Sequence, residues 1–268
     1  LYLIKMEGKI AIIGCGNLGM SILNGLMNHE SFRSQSIFAT KRNVSDLSHI
    51  NSPNITVSSD NSKAVRESEI VIVALKPFNI LETLKGLKNE ITENHTIVSL
   101  ATGITIDEIR SVIGTKASVF RAIPNTGAGV GESMTCICTE EKREKKKDEV
   151  KSIFDAIGTT IYIDESLMES ATVLGACGIA YVLRFMRAMI QGGIQIGFDA
   201  KTASTIVAQT VKGASELLIE NKQHPEYEID KVTTPKGCTI VGLNEMEHNG
   251  FSSSLIKGLV ASFDKIEK

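Results

Sequence analysis

At 268 residues, with 42% hydrophobic and 22% charged, the chain is long enough to bury a core across one or two domains. Its net charge of −2 removes a general electrostatic case for nucleic-acid binding. No uninterrupted apolar run approaches the ~20 residues that span a bilayer, so no membrane partner is expected and the cytoplasm is the default location.

Residues 1–5 are too short for a secretory signal and read as an extension upstream of a candidate start at Met6. Residues 9–13 form a short apolar run of the kind buried on both faces in a parallel sheet. Gly14-Cys15-Gly16-Asn17-Leu18-Gly19 follows at once, and Leu18, Ile22, Leu23, Leu26 and Met27 then recur at helical spacing. A G-x-G-x-x-G between a strand and a helix is the context in which that pattern holds a dinucleotide. Gly14 permits the tight turn, Gly16 lets the pyrophosphate approach the backbone, and Gly19 lets helix and strand pack closely.

The second strand, residues 36–39, ends in Thr40-Lys41-Arg42-Asn43. A site for NAD usually places an Asp or Glu there against the ribose 2′-OH; here no acid stands and two cations do. Lys41, Arg42 and the Thr40 hydroxyl suit a 2′-phosphate, which favours NADPH and leaves NADH possible. The competing reading makes the two cations a solvated loop end.

A weak strand over residues 55–57 leads through Asp60-Asn61 to a helix over 62–67. The strand at 70–74 ends in Leu75-Lys76-Pro77, at the carboxyl edge where such sheets bind ligands. Lys76 there either faces the cofactor or is a surface lysine. A helix over 80–88 precedes the strand 96–100, whose exit Ala101-Thr102-Gly103 is small enough to admit a flat ring. Residues 106–112 read as a helix and 117–122 as a strand that closes in Arg121-Ala122-Ile123-Pro124-Asn125-Thr126-Gly127. Asn125 is either turn chemistry or part of the cofactor or substrate site. This alternation predicts an α/β domain with a largely parallel sheet. Residues 134–139 read as a strand, and the charge run at 140–148 joins Val150, Ile153, Phe154 and Ile157 in an amphipathic helix. Residues 160–163 are the last strand, with Asp164 as a cap.

From residue 165 strands disappear, which divides the chain into domains at 1–164 and 165–268. One long helix runs to about residue 191, where Gly192, Gly193 and Gly197 break it. Asp199 starts a second helix to about 221, and His224-Pro225 ends it. Thr233-Thr234-Pro235-Lys236-Gly237-Cys238-Thr239-Ile240 then opens a helix over 238–248. The free N–H groups of that first turn make a socket for a carboxylate or phosphate; the bland reading is an ordinary threonine cap. Gly250 stops this helix and Ser252 caps a last one to 265. These helices are too few to bury one another in a monomer, which predicts a homodimer through them. The five cysteines form no C-x-x-C and the five histidines show no metal-ligand spacing, so no metal site is expected. Cys136 and Cys138 share one strand face.

The ordered motifs resemble those of the pyrroline-5-carboxylate reductase family. They are Gly14-Cys15-Gly16-Asn17-Leu18-Gly19, Ala74-Leu75-Lys76-Pro77, Ser99-Leu100-Ala101-Thr102-Gly103, Arg121-Ala122-Ile123-Pro124-Asn125-Thr126, Gly178-Ile179-Ala180-Tyr181-Val182, His224-Pro225 and Gly237-Cys238-Thr239-Ile240. The resemblance runs from Lys9 to about Phe263. It implies a Rossmann-type NADP-binding domain followed by an all-helical substrate-binding and dimerisation domain, often in a higher homo-oligomer. It implies NADPH-dependent reduction of 1-pyrroline-5-carboxylate to L-proline. The alternatives are a related reductase of another small cyclic imine or 2-oxo acid, or a non-catalytic NADP(H)-sensing paralogue.

For the cofactor the resemblance implies contacts from Gly14, Gly16, Asn17, Leu18 and Gly19, and from Lys41 and Arg42 near the 2′-phosphate. Asn61 falls at the adenosine ribose, and Ala74, Lys76, Ala101 and Asn125 at the sheet edge. The substrate carboxylate is implied at Thr234, Gly237, Cys238 and Thr239. Lys236 either adds charge to that pocket or points away. The Thr239 hydroxyl is the candidate proton donor or relay, beside protonation by solvent. Lys236 replaces a family glycine, Ile179 a proline, Gly127 a proline, and Lys222 an acid seen in some members.

Overall fold

A computed structural model describes residues 8–114 and 116–266; the expected extension at residues 1–5 and the start at Met6 lie outside them. The chain packs as two compact units that divide between Ile179 and Ala180, the second ending at Asp264.

The first unit is built on one sheet. Its strands are β1 (Ile10–Ile13), β2 (Ile37–Thr40), β3 (Ile55–Ser58), β4 (Ile70–Val73), β5 (Thr96–Ser99), β6 (Ser118–Ile123), β7 (Ser133–Thr139) and β8 (Gly158–Tyr162). They lie in the order β3-β2-β1-β4-β5-β6-β7-β8. Every neighbouring pair is parallel except β6 with β7. Around it stand α1 (Asn17–Asn28), α2 (Asn61–Arg66), α3 (Pro77–Gly86), α4 (Ile106–Ile113) and α5 (Glu144–Asp155).

The unbroken apolar strands follow from cover on both faces. Ile10 and Ile12 of β1 join one core layer with Ile22, Leu23 and Leu26 of α1 and Val150, Ile153 and Phe154 of α5. Ala11 and Ile13 point the other way, into a layer with Ile80 and Leu84 of α3 and Ile106, Ile109 and Ile113 of α4. Each such aliphatic side chain contributes about 1.5–3 kcal/mol by leaving water. Pro77 opens α3, and a Thr105–Glu108 capping box opens α4, which sets where each helix leaves the sheet edge. Strand order reverses at β1, which has β2 on one side and β4 on the other. That reversal leaves a crevice beyond the carboxyl ends of β1 and β4.

Packing of the first unit continues past residue 165. A 3-10 turn at Glu165–Leu167, α6 (Met168–Ala171) and a π-helical stretch at Thr172–Cys177 follow one another, with Met168, Thr172 and Val173 buried. Arg121 of β6 reaches them from inside the sheet. Its guanidinium, 1% exposed, lies 2.9 Å from Glu165 and 2.7 Å from Glu169. Burial disfavours the Arg121 cation, but the Glu169 and Glu165 carboxylates outweigh it and hold its pKa above the usual arginine value. So the change of period at 165 and the break in packing fall at different places.

The second unit is helical: α7 (Gly178–Gln195), α8 (Ala200–Asn221), α9 (Pro225–Lys231), α10 (Cys238–His248) and α11 (Phe251–Ile266). Three expectations need correction. The helix before Gly197 is not broken by Gly192 and Gly193 but runs through them to Gln195, ending where Gly197 takes φ 116°. A glycine costs a helix only about 1 kcal/mol, and a Cβ on Gly193 would stand 3.2 Å from the Ala203 methyl, so close packing of α7 on α8 favours it. His224-Pro225 does not end α8, which stops at Asn221 with Lys222 left-handed at φ 51°. Instead His224 caps α9 and Pro225 is its first residue, a position proline favours. Ser252 lies inside α11, where its hydroxyl donates to Glu247.

The helical stretch Glu165–Gln195 is long and apolar enough to cross a membrane by length and composition, although Arg184 and Arg187 interrupt its apolar run. In the second unit the buried core among the described residues is Ala203 and Val207 alone.

Candidate active site

The crevice at β1 is shaped by its glycines. Register places Ile13 between Thr40 of β2 and Val73 of β4, so the chain leaving β1 must turn at once. Gly14 does so at φ 95°, and a Cβ there would lie 2.5 Å from the Leu75 side chain. A Cβ on Gly19 would lie 2.6 Å from the Gly14 carbonyl, so α1 can approach the loop only as glycine. Gly16 is different: nothing lies within 4 Å of where its Cβ would be. Its open face adjoins the first turn of α1, Asn17 and Leu18, which has no side-chain cap. Uncapped N–H groups beside an unobstructed glycine fit a pyrophosphate. Cys15 fills space beneath; burial pushes its thiol up to about 12.

A cavity of about 510 Å³ opens beside this loop, and Gly14, Thr40, Lys41, Arg42 and Asn61 share its wall. Asn61 stands in the first turn of α2, where Asp60 is the cap. Lys41 Nζ is 2.9 Å from Asp46 Oδ2. Arg42 is exposed and has no ion pair among the described residues. Thr40 is on the wall but its hydroxyl is not turned to a ligand. It donates to the Ile12 carbonyl at 3.4 Å and accepts from the Gly14 amide at 3.3 Å, so it braces the loop.

The remaining sheet-edge residues lie outside that cavity's wall. Ala74 faces Gly19, Lys76 is the exposed residue ahead of α3, and Ala101 is buried behind β5. Asn125 is 6% exposed with both ends of its amide engaged. It donates to the Gly175 carbonyl at 3.1 Å and accepts from the Gly127 amide at 2.9 Å. That side chain braces the exit of β6, and these bonds leave it one N–H and one acceptor site. Ser59, Leu75, Asn79, Glu82 and Thr83 also line the cavity and were missed from sequence. Asn79, Glu82 and Thr83 recur at i, i+3 and i+4 on α3, a helix that leaves the carboxyl edge of β4, and that spacing was the signal available.

The second candidate cluster lies in the second unit. Thr234-Pro235-Lys236-Gly237 is a tight turn closed by the Gly237 amide on the Thr234 carbonyl at 2.9 Å. Lys236 holds φ 62°, a left-handed conformation that glycine usually supplies. A Cβ on Gly237 would lie 2.6 Å from the Thr234 hydroxyl oxygen. α10 starts next, with Gly237 as a cap residue that offers no side chain. The N–H groups of Cys238 and Thr239 therefore open its first turn, and the Thr239 hydroxyl has no hydrogen bond among the described residues. Gly237 itself is spent on closing the turn. Among the described residues no group of His, Cys, Asp and Glu could hold a metal.

A family model described as pyrroline-5-carboxylate reductase dimerisation matches residues 165–268, and one described as NADP oxidoreductase coenzyme F420-dependent matches 9–103. Pyrroline-5-carboxylate reductase 2 of Dictyostelium discoideum is 39% identical over 99% of this chain and 94% of its own length. The chain belongs to the pyrroline-5-carboxylate reductase family. Pyrroline-5-carboxylate reductase 1 of the same organism is 46% identical over 97% of this chain, which spans about half, 49%, of that longer protein. The crystal structure of Plasmodium falciparum pyrroline carboxylate reductase with NADP bound superposes with a TM-score of 0.87, at 25% identity and 97% coverage of both chains. Members of the family are NAD(P)H-dependent oxidoreductases, and the helical half of this member matches the family's dimerisation model.

Proposed function

We propose that this reductase-family chain converts 1-pyrroline-5-carboxylate to L-proline with NADPH. It works as a homodimer joined through its C-terminal helices, in the cytoplasm and without a nucleic-acid or membrane partner. The observation that carries the reading is the cavity beside the Gly14 loop, where Lys41 and Arg42 stand on one wall with Asn61. Bound NADPH supplies the hydride that reduces the C=N carbon of the imine.

The chain's own contribution is positioning and charge. Gly16, Asn17, Leu18 and Gly19 receive the pyrophosphate, Lys41 and Arg42 the 2′-phosphate, and Asn61 the adenosine ribose. Ala74, Lys76 and Ala101 border the rest of the cofactor path. At the start of α10 the Cys238 and Thr239 N–H groups take the substrate carboxylate, shaped by the Thr234–Gly237 turn, with Lys236 adding charge. The Thr239 hydroxyl relays a proton to the imine nitrogen, so that hydride and proton together make the secondary amine. Dimerisation is supported by an apolar groove of about 700 Å³ lined by Tyr181, Val182, Phe185, Phe251, Leu255 and Leu259, among others.

The test follows NADPH absorbance with 1-pyrroline-5-carboxylate beside a panel of cyclic imines and 2-oxo acids. Turnover of the named imine is expected. Turnover of another compound alone, or NADPH binding with no turnover on the panel, overturns the reading. Sedimentation velocity reads the dimer; a monomer at micromolar concentration overturns that part.

A further inference from the structure

No acid stands at the end of β2 in sequence, yet the fold brings one there. Asn43 precedes the 3-10 turn Val44–Leu47, which is held against the core by Leu47 at 1% exposure. That turn returns Asp46 to the strand end. Asp46 Oδ2 lies 2.9 Å from Lys41 Nζ, and Asp46 Oδ1 accepts from the Asn43 side-chain amide at 3.0 Å. The Ser45 hydroxyl in turn donates to Asn43 Oδ1 at 2.8 Å. Lys41 is fixed at its own backbone, whose N–H donates to Ser58 of β3 at 3.1 Å. So both partners are placed by the strand and the turn. A second acid, Glu82, lines the same cavity from α3.

We infer that Asp46 is a specificity-setting residue that competes with a cofactor's 2′-phosphate for Lys41 and so narrows the preference for NADPH over NADH. The inference rests on reading the Gly14 cavity as the dinucleotide site. A phosphomonoester dianion at Lys41 and Arg42 gains from two cations, but one of them already has a carboxylate partner. Asp46 and Glu82 also repel the dianion directly. Arg42, with no acid partner among the described residues, is left as the cation that a 2′-phosphate holds undivided. NADH carries no charge at that position, so Asp46 costs it little. The turn thus supplies part of what a carboxylate at the strand end supplies in an NAD site, without removing the two cations.

The test is calorimetric binding of 2′,5′-ADP and of ADP to the full chain, with no substrate and no turnover required. For Asp46→Asn, affinity for 2′,5′-ADP should rise about threefold to fivefold while that for ADP stays level, the size of an exposed charge interaction. For Lys41→Ala the ratio of the two affinities should fall by a similar factor. In the Lys41→Ala background, Asp46→Asn should then have a smaller effect than it has alone. An unchanged or lower 2′,5′-ADP affinity in Asp46→Asn overturns the inference, the latter by making Asp46 a support for Lys41. Wild-type chain that binds neither compound removes the cofactor reading itself, and this inference with it. Thermal unfolding of each variant confirms that the fold is retained.

Discussion

The two units bury their apolar side chains by opposite means. In the first, Ile10, Ile12, Ile13 and Ile72 are 0% exposed, closed from both faces by helices of the same chain. In the second, Val182 is 47%, Leu183 57% and Ile219 62% exposed, although the helices that carry them are just as regular. The first unit is therefore a finished core. The second presents half of one, which the proposed homodimer closes. The catalytic proposal divides the same way: cofactor residues stand on a sealed scaffold, and substrate residues on helices that await a partner.

The largest expected effect breaks the sealed side. Arg121→Ala removes a guanidinium that is 1% exposed and strands the carboxylates of Glu165 and Glu169 against the sheet. Breaking a buried pair by deleting one partner costs about 3–5 kcal/mol, and the lower end applies because both carboxylates keep some access to water. Urea unfolding of the first transition reads it. A loss under about 1 kcal/mol would make the pair dispensable to the unit. The next effect opens the other side. Leu255→Asp puts a charge into the exposed groove of the second unit, and dimer dissociation should rise at least about 100-fold, roughly 2.7 kcal/mol, in sedimentation runs. Binding of NADPH should survive it. A dimer of normal strength would place the interface elsewhere.

That asymmetry also decided what could be read in advance. The strands of the first unit, the loop at Gly14 and the helix at 238–248 follow from local pattern, because apolar runs, glycines and caps act on their own neighbourhood. What sequence hid depends on contacts that the folded backbone makes, some local and some distant. The bracing of Asn125 by Gly175 and Gly127 was not visible in sequence, which offered turn chemistry or a ligand role. Thr40 looked like a phosphate ligand until its hydroxyl was found holding Ile12 and Gly14. Asp46 was invisible as part of the strand end because a turn brings it there. Gly192 and Gly193 read as breaks because sequence shows their helix cost and hides the close packing on α8 that favours Gly193.

Two smaller effects probe the substrate side. Thr239→Ala should lower kcat/KM about tenfold or more, roughly 1.4 kcal/mol, and leave NADPH affinity level. Because its hydroxyl has no hydrogen bond among the described residues, the folded state loses little, and an unchanged kcat/KM would assign the proton to solvent.

The smallest effect falls on Lys236 and carries the most information about this member of the family. At φ 62° its side chain is held where the backbone favours glycine. A left-handed non-glycine residue costs roughly 1–2 kcal/mol, and replacing it by glycine returns about 0.5–1 kcal/mol of that to the unfolded chain as entropy. Lys236→Gly should therefore stabilise the second unit by only about 0.5 kcal/mol, a rise near 2–4 °C in its melting temperature. If the ammonium adds charge to the carboxylate pocket, the same change raises KM for the imine about threefold with kcat held, the size of an exposed charge pair. A strained residue retained for the substrate predicts both shifts together: a more stable protein that binds its substrate less well. Stability gained with KM unmoved would mean that Lys236 faces away and that the strain serves nothing in the reaction.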